Sequence, residues 1–224
     1  NHKQMFADRI QAGEMLAKEL YRYRGMNPIV VAIPRGGVET GFRVAELLKC
    51  ELAIAVSRKL GYLNNPEAAF GAMAEDGSLY MNPRASGRLS KEEIEAVMEK
   101  EEKEIRRRIS KYRNDRPFPD LEDRTVIVVD DGIATGSTLM ATLKMCKKKN
   151  PDTLVIAAPV CGSDMKMALK KHADDVVILE VPDEYYAVSQ VYRDFTPVTD
   201  KDVENLMNRA QTEWHVSEND KQMA

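Results

Sequence analysis

Short apolar runs recur along the chain, each followed by a stretch of helical period. Residues 29–33 (Ile-Val-Val-Ala-Ile), 52–56, 126–129, 154–160 and 176–181 are continuously apolar enough to predict strands buried on both faces. Between them the apolar spacing predicts helices. One covers residues 6–24, with Ile10, Leu16, Leu20 and Tyr23 inward and Gly25 as its stop. Others cover 38–49, 139–149 (opening near Ser137, with Met140, Leu143 and Met145 or Cys146 inward), 163–171 (capped by Ser163 or Asp164) and 200–214. Strand and helix in alternation predict βαβ units, and hence a parallel sheet with right-handed crossovers.

Two stretches interrupt this alternation. Residues 57–71 have no clean period and are studded with Gly, Asn and Pro, so a long flexible loop over about 57–77 is expected, with a short strand at 78–81. Ser90-Lys91-Glu92-Glu93 is a capping box. It opens a long charged helix over about 90–113, acidic at first and basic at its end, with a thin apolar stripe of Ile94, Met98, Ile105, Ile109 and Tyr112. That stripe suits packing by one narrow face or a subunit contact.

Composition narrows the class. The chain has 224 residues, 43% of them hydrophobic, enough for a real core. A formal net charge of −3 gives no electrostatic case for binding nucleic acid. No apolar run is long enough to span a membrane, and no signal-peptide pattern is present, so a cytoplasmic protein is expected. Cys50, Cys146 and Cys161 are scattered and odd in number, which fits buried thiols better than a disulfide framework or a zinc site.

The chemistry concentrates after the 126–129 run. There the chain reads Asp130-Asp131-Gly132-Ile133-Ala134-Thr135-Gly136-Ser137-Thr138 before turning helical. Amides just before a helix are unpaired, and the helix N-terminus is partially positive, so such a loop suits an anion. Thr135, Ser137 and Thr138 add hydroxyls, and a phosphate monoester fits. The loop has no Lys and does not match the nucleoside triphosphate P-loop. Asp130 and Asp131 would repel a phosphate; they suit sugar hydroxyls, a hydrated metal ion or developing positive charge. Phosphate at one end and hydroxyls at the other suggest a sugar phosphate. A plain strand-to-helix turn capped by Asp131 or Thr135 would need one polar residue, not the whole series. Pro34-Arg35-Gly36-Gly37 is a second candidate, again after a strand and opening a helix, with Arg35 as a cationic fork.

The 126–138 run resembles the phosphoribosyl diphosphate (PRPP) signature of type I phosphoribosyltransferases, in which two acids follow a hydrophobic strand and precede a Thr-Gly loop. The resemblance covers about residues 6–210 as one domain and looks most like a group of phosphoribosyltransferases whose acceptor is unassigned. It implies a doubly wound α/β fold with a parallel sheet core at about 25–181. It also implies a small C-terminal hood at about 182–198, joined by the N-terminal helix, and leaves 215–224 as a polar tail. It further implies the site. Asp130 and Asp131 would hold the ribose hydroxyls and, through water and PRPP, Mg2+. Ile133, Ala134, Thr135, Gly136, Ser137 and Thr138 would hold the 5′-phosphate. Arg35, Gly36, Gly37, Arg58 and Lys59 would hold the pyrophosphate, Arg58-Lys59-x-Gly61 resembling the loop start in adenine phosphoribosyltransferases. A solvated surface position is the alternative for Arg58 and Lys59.

Asp130, Asp131, Lys59 and Glu67 form the candidate catalytic set, Glu67 as a proton acceptor or else a solvent-facing carboxylate. Val181, Tyr185 and Tyr186 would meet the base, although plain packing is open for either tyrosine. One departure limits the reading. Hypoxanthine–guanine enzymes carry an acidic residue where Ala134 stands, which leaves the general base open between Glu67 and Glu184. The implied activity is transfer of a 5-phosphoribosyl group from PRPP to a nitrogenous acceptor, a nucleobase in salvage, with release of pyrophosphate. A homodimer is expected from the family, with no nucleic-acid or membrane partner. The rivals are a regulatory protein that senses PRPP or a nucleotide, and a phosphosugar hydrolase on the same fold.

Overall fold

The structure, a computed structural model, describes residues 5–85 and 89–213. The expected tail at 215–224 and the last residue of the 200–214 helix lie outside them. Helix α1 (Arg9–Leu20) starts at Asp8, whose carboxylate accepts from the Gln11 N–H at 2.8 Å, and passes through a 3-10 turn to Gly25 at φ +82°. Then follow β1 (Pro28–Ala32), α2 (Gly36–Leu48) and β2 (Glu51–Ile54). A three-strand insert comes next: β3 (Ser57–Tyr62), β4 (Asn65–Ala74) and β5 (Leu79–Met81). The remainder is α3 (Lys91–Arg113), β6 (Thr125–Val129), α4 (Ser137–Lys147), β7 (Thr153–Val160), α5 (Ser163–Leu169), β8 (Asp175–Glu180) and α6 (Asp200–Glu213).

Five strands form a parallel sheet in the order β2-β1-β6-β7-β8, as the alternation predicts. The apolar runs have no polar face because both faces are covered. Val30, Ala32, Ile127 and Val129 pack with α1, α2 and α6 on one side. Ile29, Val31, Val126 and Val128 pack with α4 and Leu169 of α5 on the other. The fold is therefore doubly wound. From β1 the chain moves outward to β2, then returns to the far side of β1 as β6. This reversal leaves a crevice between the carboxyl ends of β1 and β6.

Several expectations are corrected. The flexible loop at 57–77 is an antiparallel sheet, β3-β4-β5, with Leu60, Phe70, Ala72 and Ala74 buried. Its pattern is disguised because many inward positions are Ala, a weak strand former. In addition, Gly61 sits at register shifts between β3 and β4, where breakers are tolerated. Ile10 is 47% exposed. The inward side of α1 runs through Ala12, Leu16 and Leu20, and two residues from Ala12 is about 200° around the helix. Helix α5 begins after Gly162, with no side-chain cap from Ser163 or Asp164. Strand β8 is a half-buried edge strand and not a core strand.

The capping box at Ser90 is formed, and α3 turns Val97, Ile105 and Tyr112 inward. Its last turn is tied to the sheet by a buried ion pair. Arg113 meets Glu75 through both terminal nitrogens and also donates to Ile54 O at 3.0 Å, while Glu75 accepts from the Val56 N–H at 3.0 Å. Arg113→Met would leave that carboxylate buried without its counter-charge. It is expected to cost about 3–5 kcal/mol, read as a lower urea midpoint. Cys50, Cys146 and Cys161 are buried thiols, pushed by burial up to about 12, 12 and 11. No helix among the described residues is long and apolar enough to cross a membrane.

Candidate active site

Strands β1 and β6 run side by side, Ala32 opposite Val129, so the segments leaving their ends must meet. After β1 comes Ile33-Pro34-Arg35, with a cis peptide between Pro34 and Arg35, and α2 opens at Gly36. After β6 come Asp130 and Asp131, and α4 opens at Ser137. Both helices present their N-terminal amides at this point. Gly36 lies directly against the Asp131 carboxylate, and Gly37 against the Asp130 backbone. The loop before α4 turns at Gly136, which adopts φ +76°, a conformation that strains any residue with a side chain.

The amides of Ala134, Thr135, Gly136, Ser137 and Thr138 have no partner among the described residues. Ile133 does not join them. Its N–H is given to Val160 O at 2.9 Å and its side chain is buried, so it anchors the loop instead of offering a donor.

The two acids differ. The Asp130 carboxylate accepts from the Asp131 N–H at 2.8 Å, and burial together with the adjacent Asp131 charge raises its proton affinity well above the usual carboxylate range. Asp131 has a counter-charge that no local motif signalled. Arg9 Nε donates to Asp131 Oδ2 at 2.8 Å, both side chains being largely buried. Arg9 Nη1 donates to Thr196 O at 2.7 Å, and its guanidinium lies 3.9 Å over the Phe195 ring. Tyr192 Oη donates to Asp131 O at 2.5 Å. Residues 191–194 pair with the N-terminal segment through bonds such as Phe6 N to Val191 O and Arg193 N to Phe6 O. The segment 182–198 and α1 thus close on the acids from one side.

The other side is a crevice of about 540 Å³ that brings together Pro34, Arg58, Lys59, Glu67, Asp130 and Thr138. Lys59 and Glu67 are exposed on the β3–β4 hairpin, and Arg58 pairs with Glu101 of α3 at 2.8 Å. Arg35 points instead toward α3 and α6, with Nε 2.9 Å from Asp200 Oδ1. The Tyr112 hydroxyl and the Arg35 guanidinium hold the Asp200 carboxyl below its ordinary range. A larger cavity of about 580 Å³, between β2, the end of α3 and α6, holds none of the residues expected in the site.

The residues expected to meet a base divide. Tyr185 is half-buried, and its hydroxyl is enclosed without a hydrogen-bond partner among the described residues. Burial first, then the charges of Cys161 and the two acids, would oppose its ionisation. Tyr186 is 75% exposed and Val181 half-buried.

This geometry coincides with the similarity of the chain to known proteins. The family model described as "phosphoribosyl transferase domain" matches residues 3–196. The chain belongs to this family. A Mycobacterium tuberculosis (strain H37Rv) protein provisionally named a phosphoribosyl transferase is 37% identical over 212 residues, which is 94% of this chain and 48% of that protein. The chain therefore spans about half the length of the curated relatives it matches. The crystal structure of the protein TT1426 from Thermus thermophilus is 37% identical, covers 94% of this chain and 99% of that one, and superposes with a TM-score of 0.78.

An acid pair and two helix N-termini converge at one switch point. Four positions beyond those expected from the sequence stand behind the site: Arg9, Glu101, Tyr112 and Asp200. Tyr112 was visible only as an apolar member of a helical stripe. The other three are charged residues on helices, with nothing local to separate them from solvated neighbours.

Proposed function

We propose that the chain transfers a 5-phosphoribosyl group from PRPP to a nitrogenous acceptor, a nucleobase in a salvage reaction, and releases pyrophosphate. The observation that carries this reading is the convergence at the β1/β6 switch point. Two helix N-termini suited to anions flank a carboxylate pair suited to ribose hydroxyls and developing positive charge.

The 5′-phosphate takes the free amides and hydroxyls of Ala134, Thr135, Gly136, Ser137 and Thr138. It serves as a remote handle whose binding energy positions the reacting carbon. Asp130 and Asp131 hold the ribose hydroxyls. As the C1–O bond breaks, its electron pair leaves with the pyrophosphate oxygen, and the ribosyl centre acquires the positive character known from glycoside cleavage. The acids favour that charge. Arg35, Arg58, Lys59 and the Gly36 and Gly37 amides stabilise the leaving pyrophosphate. The acceptor nitrogen bonds to C1, and its proton passes to a base, for which Glu67 is the carboxylate on the crevice wall besides Glu101 and Asp130. Segment 182–198 acts as the hood over the acceptor, with Tyr185 beside it.

The donor set also bears on Mg2+. No cluster of three or more His, Cys, Asp or Glu able to hold a metal occurs among the described residues. Two adjacent carboxylates suit an ion that keeps its waters and takes its remaining oxygens from a substrate's phosphates. Asp130 and Asp131 would hold it through water, and when bound it supplies charge neutralisation to the pyrophosphate.

A screen of PRPP and Mg2+ against purine and pyrimidine bases, following pyrophosphate and nucleotide together, tests the reading. Stoichiometric formation of both is expected with at least one base. Pyrophosphate release without nucleotide would assign a hydrolase, and saturable PRPP binding without release would assign a sensor.

A further inference from the structure

Both arginines assigned to the pyrophosphate are gripped by α3 or α6, and in the same manner. Arg35 Nε donates to Asp200 Oδ1 at 2.9 Å and more weakly to Tyr112 Oη at 3.4 Å, while Tyr112 Oη donates to Asp200 Oδ1 at 2.5 Å. Arg58 Nε donates to Glu101 Oε2 at 2.8 Å. Only the Nε edge is engaged in each case. Among the described residues, Nη1 and Nη2 of Arg35 and of Arg58 have no hydrogen-bond partner.

The buried Arg113 shows the alternative. It spends both terminal nitrogens on Glu75, which uses up the fork that would otherwise take a phosphate. A grip on Nε fixes the plane of the guanidinium and leaves that fork for a second anion. Glu101 and Tyr112 lie eleven residues apart on α3. That is about three full turns, so both project from one face of the helix.

We propose that Glu101, Tyr112 and Asp200 are positioning residues for the pyrophosphate half of PRPP: they hold Arg58 and Arg35 by Nε so that the free terminal nitrogens receive phosphate oxygens. The proposal rests on the reading of the crevice as a PRPP site. It also gives the long charged helix a task. Helix α3 is anchored at its last turn by Arg113 and Glu75, and carries its acid to Arg58 on β3 and its phenol to the Arg35–Asp200 pair.

Calorimetric titration of the full chain with PRPP and Mg2+, and separately with ribose 5-phosphate, tests this. Ribose 5-phosphate lacks the pyrophosphate, so it reports on the rest of the site. Glu101→Gln and Asp200→Asn keep side-chain shape, and Tyr112→Phe keeps the packing. In Glu101→Gln and Asp200→Asn, PRPP is expected to bind about tenfold more weakly, the scale of one charge-assisted hydrogen bond. A smaller loss is expected in Tyr112→Phe, and ribose 5-phosphate affinity should be unchanged in all three.

Equal weakening of both ligands would mean a general structural role and would overturn the proposal. So would unchanged PRPP binding. Tighter PRPP binding would mean that the acids compete with pyrophosphate, and would overturn it as well. Wild-type protein that binds ribose 5-phosphate but not PRPP would instead overturn the functional reading itself.

Discussion

Asp130→Asn and Asp131→Asn are each expected to lower turnover by a factor on the order of 10²–10³, while moving stability in opposite directions. Asp130 carries its charge beside another carboxylate and away from water, so its proton affinity is raised. Asn keeps an oxygen to accept the Asp131 N–H and removes the charge. A gain in stability follows, read as a higher Tm.

Asp131 is the counter-charge of buried Arg9. Its replacement leaves a guanidinium with a neutral partner, at a cost of about 3–5 kcal/mol. The pH dependence has a definite sign. A carboxyl whose folded-state affinity is raised binds more protons folded than unfolded, so its penalty is absent below the unfolded value, about 3.9. The penalty grows as pH rises toward the folded value, and stability falls over that window. The difference between wild type and Asp130→Asn should therefore widen with pH across that interval. Urea unfolding at several pH values, with a pyrophosphate-release assay, checks both halves. Unchanged rates in both variants would sink the ribose-holding role.

Gly36→Ala is expected to damage the site by geometry alone. A Cβ there would overlap Asp131 Oδ2 and lie 2.9 Å from Arg9 Nε. Neither can withdraw easily. Asp131 is held at its carbonyl by Tyr192, and Arg9 by Thr196 O and the Phe195 ring. Either α2 shifts along β1 or the ion pair opens. Overpacking of this kind costs about 1–3 kcal/mol. Moving the acids by about 1 Å is expected to cost roughly 10²-fold in turnover. Thermal unfolding and kinetics measured together distinguish this from a plain stability defect, because loss of turnover should persist well below the melting transition. Normal turnover would show that the acids tolerate displacement.

The acid pair, the Pro-Arg-Gly-Gly turn and the parallel sheet were legible because their signals are contiguous. An apolar run long enough to be buried on both faces ends at polar residues that have one place to go. The β3–β4 hairpin was not legible, because several of its buried positions, such as Ala72 and Ala74, are Ala and its bulge carries glycine. The place of Ile133 was not legible for a related reason: it sits in the loop before α4, but an isolated bridge to Cys161 takes its backbone toward the sheet.

By itself, then, the sequence determined the doubly wound core and which polar residues stand at the ends of two of its strands, since hydrophobic period and local turn residues act over a few positions. Tertiary structure alone decided what holds those loops. Arg9 reaches Asp131 across 122 residues, and Arg35 reaches Asp200 across 165. A charged residue on a helix looks the same in sequence whether it faces water or a partner. Only the packing of α1, α3 and α6 against the sheet brings these charges within hydrogen-bond distance and removes enough water for them to orient one another.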